Sequence, residues 1–137
     1  MSQWTHVAGI IRIDALDFLE PDIEQELIAS FGLTCDYEST IKAWDECTAP
    51  LGSEGSVQHK IVHTGTENML AWGLIYIWGD LRDYSNTQEI YDWIKNACKN
   101  FIIRSCSVKV DIEFQRSYII YDDGNGNILL KELDKNG

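Results

Sequence analysis

No short stretch of this 137-residue chain announces a chemistry. Its four cysteines, at 35, 47, 98 and 106, form no CxxC pair and no zinc-finger spacing. A disulfide scaffold would be denser in cysteine and poorer in core residues, so reduced, mostly buried thiols are expected. The opening MSQWTHVAGI lacks the basic and long apolar regions of a signal peptide. No apolar run approaches the roughly 20 residues of a membrane span. A soluble protein of the cytoplasm is the expectation. There is no HExxH pattern, and His59 and His63, four residues apart on a strand, would stand about 13 Å from each other. They cannot share a metal in that conformation. Serine, cysteine and histidine occur without a GxSxG elbow, and Asp122–Asp123 falls in a solvated turn. The reading is therefore non-enzymatic, with neither metal nor cofactor.

Basic charge is the other shortage. Eleven Lys and Arg face 22 Asp and Glu, giving a net charge of −11 and a pI near 4.5. Such a surface repels phosphate backbones, so direct nucleic-acid binding is disfavoured unless the few basic residues cluster. It favours solubility and fast association with basic partners. Apolar residues make up 45%, enough for a compact domain, and the whole chain, 1–137, reads as one. Five Trp, six Tyr and four Phe exceed what a core of this size needs, which leans towards binding surfaces.

The chain is organised around Leu70–Tyr84, LAWGLIYIWGDLRDY. With a period of two, Leu70, Trp72, Leu74, Tyr76 and Trp78 face one way, and Ala71, Gly73, Ile75, Ile77 and Gly79 the other. The second set is low and smooth and suits a helix packed on the sheet. The first carries large aromatics with polar tips, which need partners if buried. Leu70–Trp78 is read as the central strand, covered on both sides. One cover is the protein's own helices; core aromatics of the same chain, a second subunit or a ligand are the alternatives for the other. Gly79–Ser85 is read as a functional junction.

Around it, Thr5–Asp14 reads as a first strand, with Gly9 marking a close packing point. Pro21 opens a helix whose Ile23, Leu27, Ile28 and Phe31 share a face and whose end falls at Gly32. Ser39–Cys47 is at most a short helix. APLGSEGS, 49–56, is a loop, and Val57–Thr64 a strand that turns at Gly65–Asn68 into an antiparallel hairpin with the central strand. Asn86 as N-cap and Glu89 three residues later announce a helix over 87–100, with Ile90, Trp93, Ile94, Ala97 and Phe101 on one face. Ser105–Phe114 alternates as a half-wet strand, and Ser117–Tyr121 and Ile128–Leu133 form a hairpin about DGNG. Asp134–Gly137 reads as a loose end. The order predicts an α+β two-layer sandwich, mainly antiparallel, with two amphipathic helices on one face. It fits a ferredoxin-like β-α-β-β-α-β core with a C-terminal hairpin.

Two stretches are candidate ligand contacts. Trp78, Asp80, Arg82, Asp83 and Tyr84 lie between a strand and a helix N-terminus, where backbone N–H groups favour an anion. Arg82 would grip phosphate or carboxylate, and Trp78 or Tyr84 would stack a base. The competing reading is a structural ion pair of Arg82 with Asp80 and Asp83. Ser53 and Glu54 sit in Gly52–Ser56, where paired glycines can form an anion nest; Glu54 opposes an anion unless it points away or binds a ribose hydroxyl. The stretch is not a P-loop, since the Lys and following hydroxyl are absent.

Three phrases, WTHVAGIIRID, PLGSEGS and IWGDLRDY ahead of a Trp-bearing helix, together resemble a set of small bacteriophage-encoded proteins, over Trp4 to about Phe101. No activity and no functional residue comes with the resemblance. It implies a setting, in which accessory phage proteins in the host bacterial cytoplasm sequester nucleotide immune signals or block defence enzymes with acidic surfaces. The expected function is a homo-oligomeric binding protein that traps a small anionic, nucleotide-like ligand. The alternative is an acidic protein that inhibits a basic host protein by direct contact.

Overall fold

A computed structural model describes residues 3–15, 27–28, 30–32, 49–50, 52–64, 71–99 and 101–133. The expected helix start at Pro21, the short helix Ser39–Cys47, the turn Gly65–Asn68, Cys35, Cys47 and the loose end Asp134–Gly137 lie outside them. The elements are β1 (Trp4–Ala15), β2 (Gln58–Thr64), β3 (Ala71–Arg82), α1 (Thr87–Cys98), β4 (Ile102–Ile112), β5 (Ser117–Asp122) and β6 (Ile128–Leu133). The strands form one six-stranded sheet in the order β2-β3-β1-β4-β5-β6, and every neighbouring pair is antiparallel. The protein is thus mainly antiparallel sheet with a helical layer, and the β2–β3 and β5–β6 hairpins form as expected.

Each strand sends alternate residues to one face, and there the core sits. Ile11 and Ile13 of β1, Ile75, Ile77 and Leu81 of β3, and Val108 and Val110 of β4 are buried beneath Ile90, Trp93, Ile94 and Ala97 of α1. Residues 27, 28, 30 and 31 are also helical, and Leu27 and Phe31 complete this layer. The Phe31 and Trp93 rings meet edge to face with centroids 5.6 Å apart, and Trp93 Nε1–H donates to the Phe31 carbonyl at 2.8 Å. Gly32, at φ 62°, takes the left-handed conformation expected just past a helix end. At Gly9 a Cβ would sit 2.4 Å from the Ser107 carbonyl oxygen, so only glycine lets β1 and β4 approach this closely.

The two ends of α1 follow from its sequence. Asn86 Oδ1 accepts from the Glu89 backbone N–H at 3.1 Å, and buried residues recur at helical spacing until Cys98. Cys98 and Cys106 are free and buried. Burial pushes both thiols upward, Cys106 to about 12, so neither is a thiolate at neutral pH.

The strand expected to be central is interior but second from the sheet edge, and it differs from expectation in length. Rather than ending at Trp78, β3 continues through Gly79 to Arg82, because β1 pairs with it to the end, Trp4 opposite Arg82 and His6 opposite Asp80. Gly79 and Asp80 look like turn residues but lie in the ladder. The chain leaves the sheet at Asp83, at φ 53°, whose N–H donates to the Gln3 carbonyl at 2.6 Å. Among the described residues, cover is seen on one face alone: on the other, Leu74 is half-buried, while Tyr76 and Trp78 are 39% and 46% exposed.

Candidate functional site

The glycine-rich loop and the Arg82 stretch do meet. Ser53 N–H donates to the Arg82 carbonyl at 2.9 Å and Arg82 N–H to the Glu54 carbonyl at 3.0 Å, so the loop runs along the end of β3. Glycine is required for this approach. A Cβ on Gly55 would lie 2.0 Å from the Asp80 carbonyl oxygen, with φ at +83°. The Gly52 N–H donates to Gly55 O at 3.1 Å, so it and the Ser53 N–H point within the protein rather than at an anion.

The side chains there are paired as well. Arg82 Nη1 lies 2.5 Å from Glu54 Oε1, and its Nε lies 3.8 Å from Asp83 Oδ2. Ser53 Oγ donates to the Arg82 carbonyl and to Asp83 Oδ2, both at 3.2 Å. Glu54 thus takes the role that sequence spacing suggested for Asp80, which turns to His6 instead. Tyr84 is buried, and its hydroxyl donates to Glu89 at 2.8 Å. Burial first, and the Glu89 carboxylate second, hold that phenol above its usual range. The buried Thr5 hydroxyl donates to the Tyr84 carbonyl. Tyr84 is therefore a core residue at the start of α1, with no free ring face for stacking. Trp78 stands four residues from Arg82 along the strand, roughly 13 Å away, so the two do not share one small pocket.

The uncovered side of the sheet gathers a second set of side chains, organised in rows across the strands. One row reads Gln58, Trp78, Ala8, Lys109, Ile119 and Lys131; the next reads Lys60, Tyr76, Ile10, Ser107, Tyr121 and Leu129. Beyond the second row come Val62, Leu74, Arg12 and Ser105, and beyond the first, Asp80, His6, Asp111 and Ser117. Val62 and Leu129 are each 38% exposed. Arg12, Lys60, Arg82, Arg104, Lys109 and Lys131 all lie on this face, six of the eleven basic residues of a chain with net charge −11. Its acidic members among the described residues are Asp14, Asp80, Asp111 and Glu113, with Glu54 and Asp83 paired to Arg82 at the end of β3. Basic and acidic residues are thus balanced on this face of a strongly acidic chain. The signal was available in the alternation of β2, β4 and β6, whose outward positions include Lys60, Lys109 and Lys131.

The acidic row is built around His6. Its Nδ1 lies 2.5 Å from Asp80 Oδ1 and its Nε2 3.2 Å from Glu113 Oε2. The hydrogen bond to Asp80, then that to Glu113, raises the imidazole above its usual range. The two carboxylates sit on opposite edges of the ring and so do not converge on one point. On the helical side, a groove of about 410 Å³ is lined by Ser30, Glu89, Asp92, Trp93, Asn96, Ala97 and Lys99. It includes none of the candidate ligand contacts named from the sequence.

No helix among the described residues is long and apolar enough to cross a membrane. Compared with known proteins, the chain matches no family model, no curated protein and no solved structure.

Proposed function

We propose that this is a non-enzymatic binding protein of the small phage-encoded kind that its three phrases resemble. It works in the bacterial cytoplasm by holding a small anionic ligand such as a nucleotide immune signal. The supporting observation is the coincidence of Tyr76 and Trp78 with Lys60, Lys109 and Arg12 on one uncovered sheet face. Stacking on an aromatic ring is worth about 1–3 kcal/mol per base, and lysine supplies a mobile point charge for phosphate. Trp78 keeps the stacking role that its sequence position suggests, while the cationic grip moves from the paired Arg82 to the lysines beside Trp78 and Tyr76. We read the order β2-β3-β1-β4, with α1 between β3 and β4, as a ferredoxin-like core extended by the β5–β6 hairpin. In this reading the helical residues before β2 belong to the second covering helix.

The test is native mass spectrometry and calorimetry with a panel of nucleotides on the purified protein. Binding that is lost in Trp78→Ala and in Lys60→Glu, and kept in Arg82→Ala, supports the sheet face. Loss in Arg82→Ala alone, with stability unchanged, returns the site to the end of β3. Indifference to the whole panel rejects the ligand reading. It favours instead an acidic protein that engages a basic partner, a reading supported by the net charge of −11. That contact would weaken steeply with salt.

A further inference from the structure

We infer that the open face of the sheet is closed by a second copy of this chain, in a two-fold pair with β3 crossing β3. The inference uses the same face as the ligand reading and places the ligand between two aromatic ladders instead of on an open shelf.

Three observations support it. The first is extent. At about 3.3 Å per residue and 4.8 Å between strands, the six strands present roughly 850 Å² of face. That is close to the ~800 Å² per partner that a specific interface buries. The second is chemistry. Tyr76 and Trp78 stand exposed and adjacent on β3, with Val62 exposed on the neighbouring edge strand β2 and Leu129 on the far edge strand β6. A contiguous aromatic surface of this kind marks a contact site. The third is charge. Two copies of a chain at −11 repel each other, and this face, where the basic residues collect, is where that repulsion is weakest.

The charge rows also select the symmetry. Sheets packed face to face keep their strands within about 30° of each other, so the two-fold axis runs either along the strands or across them. An axis along the strands lays the Asp80–Asp111 row over the same row of the other copy, acid on acid. An axis across the strands, between the Trp78 and Tyr76 rows, reverses the order instead. Each Trp78 row then faces a Tyr76 row, and each Asp80 row faces the row containing Arg12, with Arg12 opposite His6 and one strand aside from Asp80. Only this second arrangement moves the acidic row off its own copy.

Sedimentation of the full chain over a range of concentrations, without and with the nucleotide panel, tests the inference. The expected result is a species of twice 15.7 kDa. Trp78→Glu should weaken self-association about thirtyfold or more, as for a central interface tryptophan, with an unchanged circular dichroism spectrum. Lys95→Glu, on the exposed side of α1, serves as the control and should change nothing. Asp80→Arg and Arg12→Glu should each weaken the pair, and the double variant should recover most of the loss. A wild-type monomer at every concentration overturns the inference, and so does a Trp78→Glu dimer. Failure of the double variant to recover overturns the axis across the strands. A dimer that binds no nucleotide leaves the pair standing and removes the ligand reading; a monomer that binds one does the reverse.

Discussion

The two sides of β3 hold residues of similar apolar character in opposite surroundings. Ile75 and Ile77 are 0% and 1% exposed, whereas their neighbours Tyr76 and Trp78 are 39% and 46% exposed. Strand propensity does not separate them, since β-branched and aromatic residues suit strands equally. The helical layer does. Gly73 and Gly79 alternate with the isoleucines on one side and leave a shallow surface, on which Ile90, Trp93 and Ile94 can lie. The ladder of large rings on the other side offers no such surface, and α1 packs where its apolar face fits. Apolar character thus marks which residues want cover, while shape decides which of them receive it from the same chain.

The largest break in this comparison should come from the covered side. Ile77→Ala removes a fully buried side chain and should cost about 2–5 kcal/mol in chemical denaturation. A loss under ~1 kcal/mol would mean that the core is not centred on β3. At the end of the strand, Gly55→Ala sets a Cβ 2.0 Å from the Asp80 carbonyl oxygen in a left-handed conformation. It should cost more than ~1 kcal/mol and release the loop, seen as faster amide exchange at Ser53 and Arg82. Gly124→Ala is the sharper control, because φ is also +83° there but nothing lies within 4 Å of the added carbon. Its cost should be the conformational one alone, about 1 kcal/mol.

On the open side the expected effects on folding are small. Trp78→Ala should change the folding free energy of the monomer by no more than about 0.5 kcal/mol. A large loss would place Trp78 in the core after all. The smallest effect belongs to His6. Its raised pKa means that the protonated ring between Asp80 and Glu113 favours the folded state. This contribution is fully present below the unfolded value of 6.5 and fades as pH rises through the folded value. An NMR titration should show His6 above 6.5 in the native protein and closer to it in Asp80→Asn, which removes the charge of the partner with the larger effect on the ring. No movement in that variant would detach His6 from Asp80.

Much of the fold was legible in the sequence for local reasons. The alternation in β4, the capping of α1 by Asn86 and Glu89 and the DGNG turn each depend on residues close in the chain, and each formed. Strand β4 runs from Ile102 to Ile112 rather than Ser105 to Phe114, and Phe114, expected on its apolar face, lies past its end and is 77% exposed. The end of β3 was misread because Gly79 and Asp80 carry turn chemistry. The long reach of β1 overrides that preference by hydrogen-bonding to them. The candidate contacts divided the same way. That Ser53 and Glu54 meet Arg82 was foreseen as a juxtaposition, whereas the burial of Tyr84 and the pairing of Arg82 with Glu54 rather than Asp80 depend on the path of a loop 28 residues away.

The sequence by itself determined the strands, their two-sided patterns, α1 and the chain's overall acidity, because these follow from residue type and from spacings of two and three to four. Only the tertiary structure decided which side of the sheet stays open, that six basic residues gather on it, and which carboxylate each of Arg82 and His6 takes. Those outcomes depend on strand order and register, which bring together residues as far apart as Trp4 and Glu113, and spacing along the chain carries no record of them.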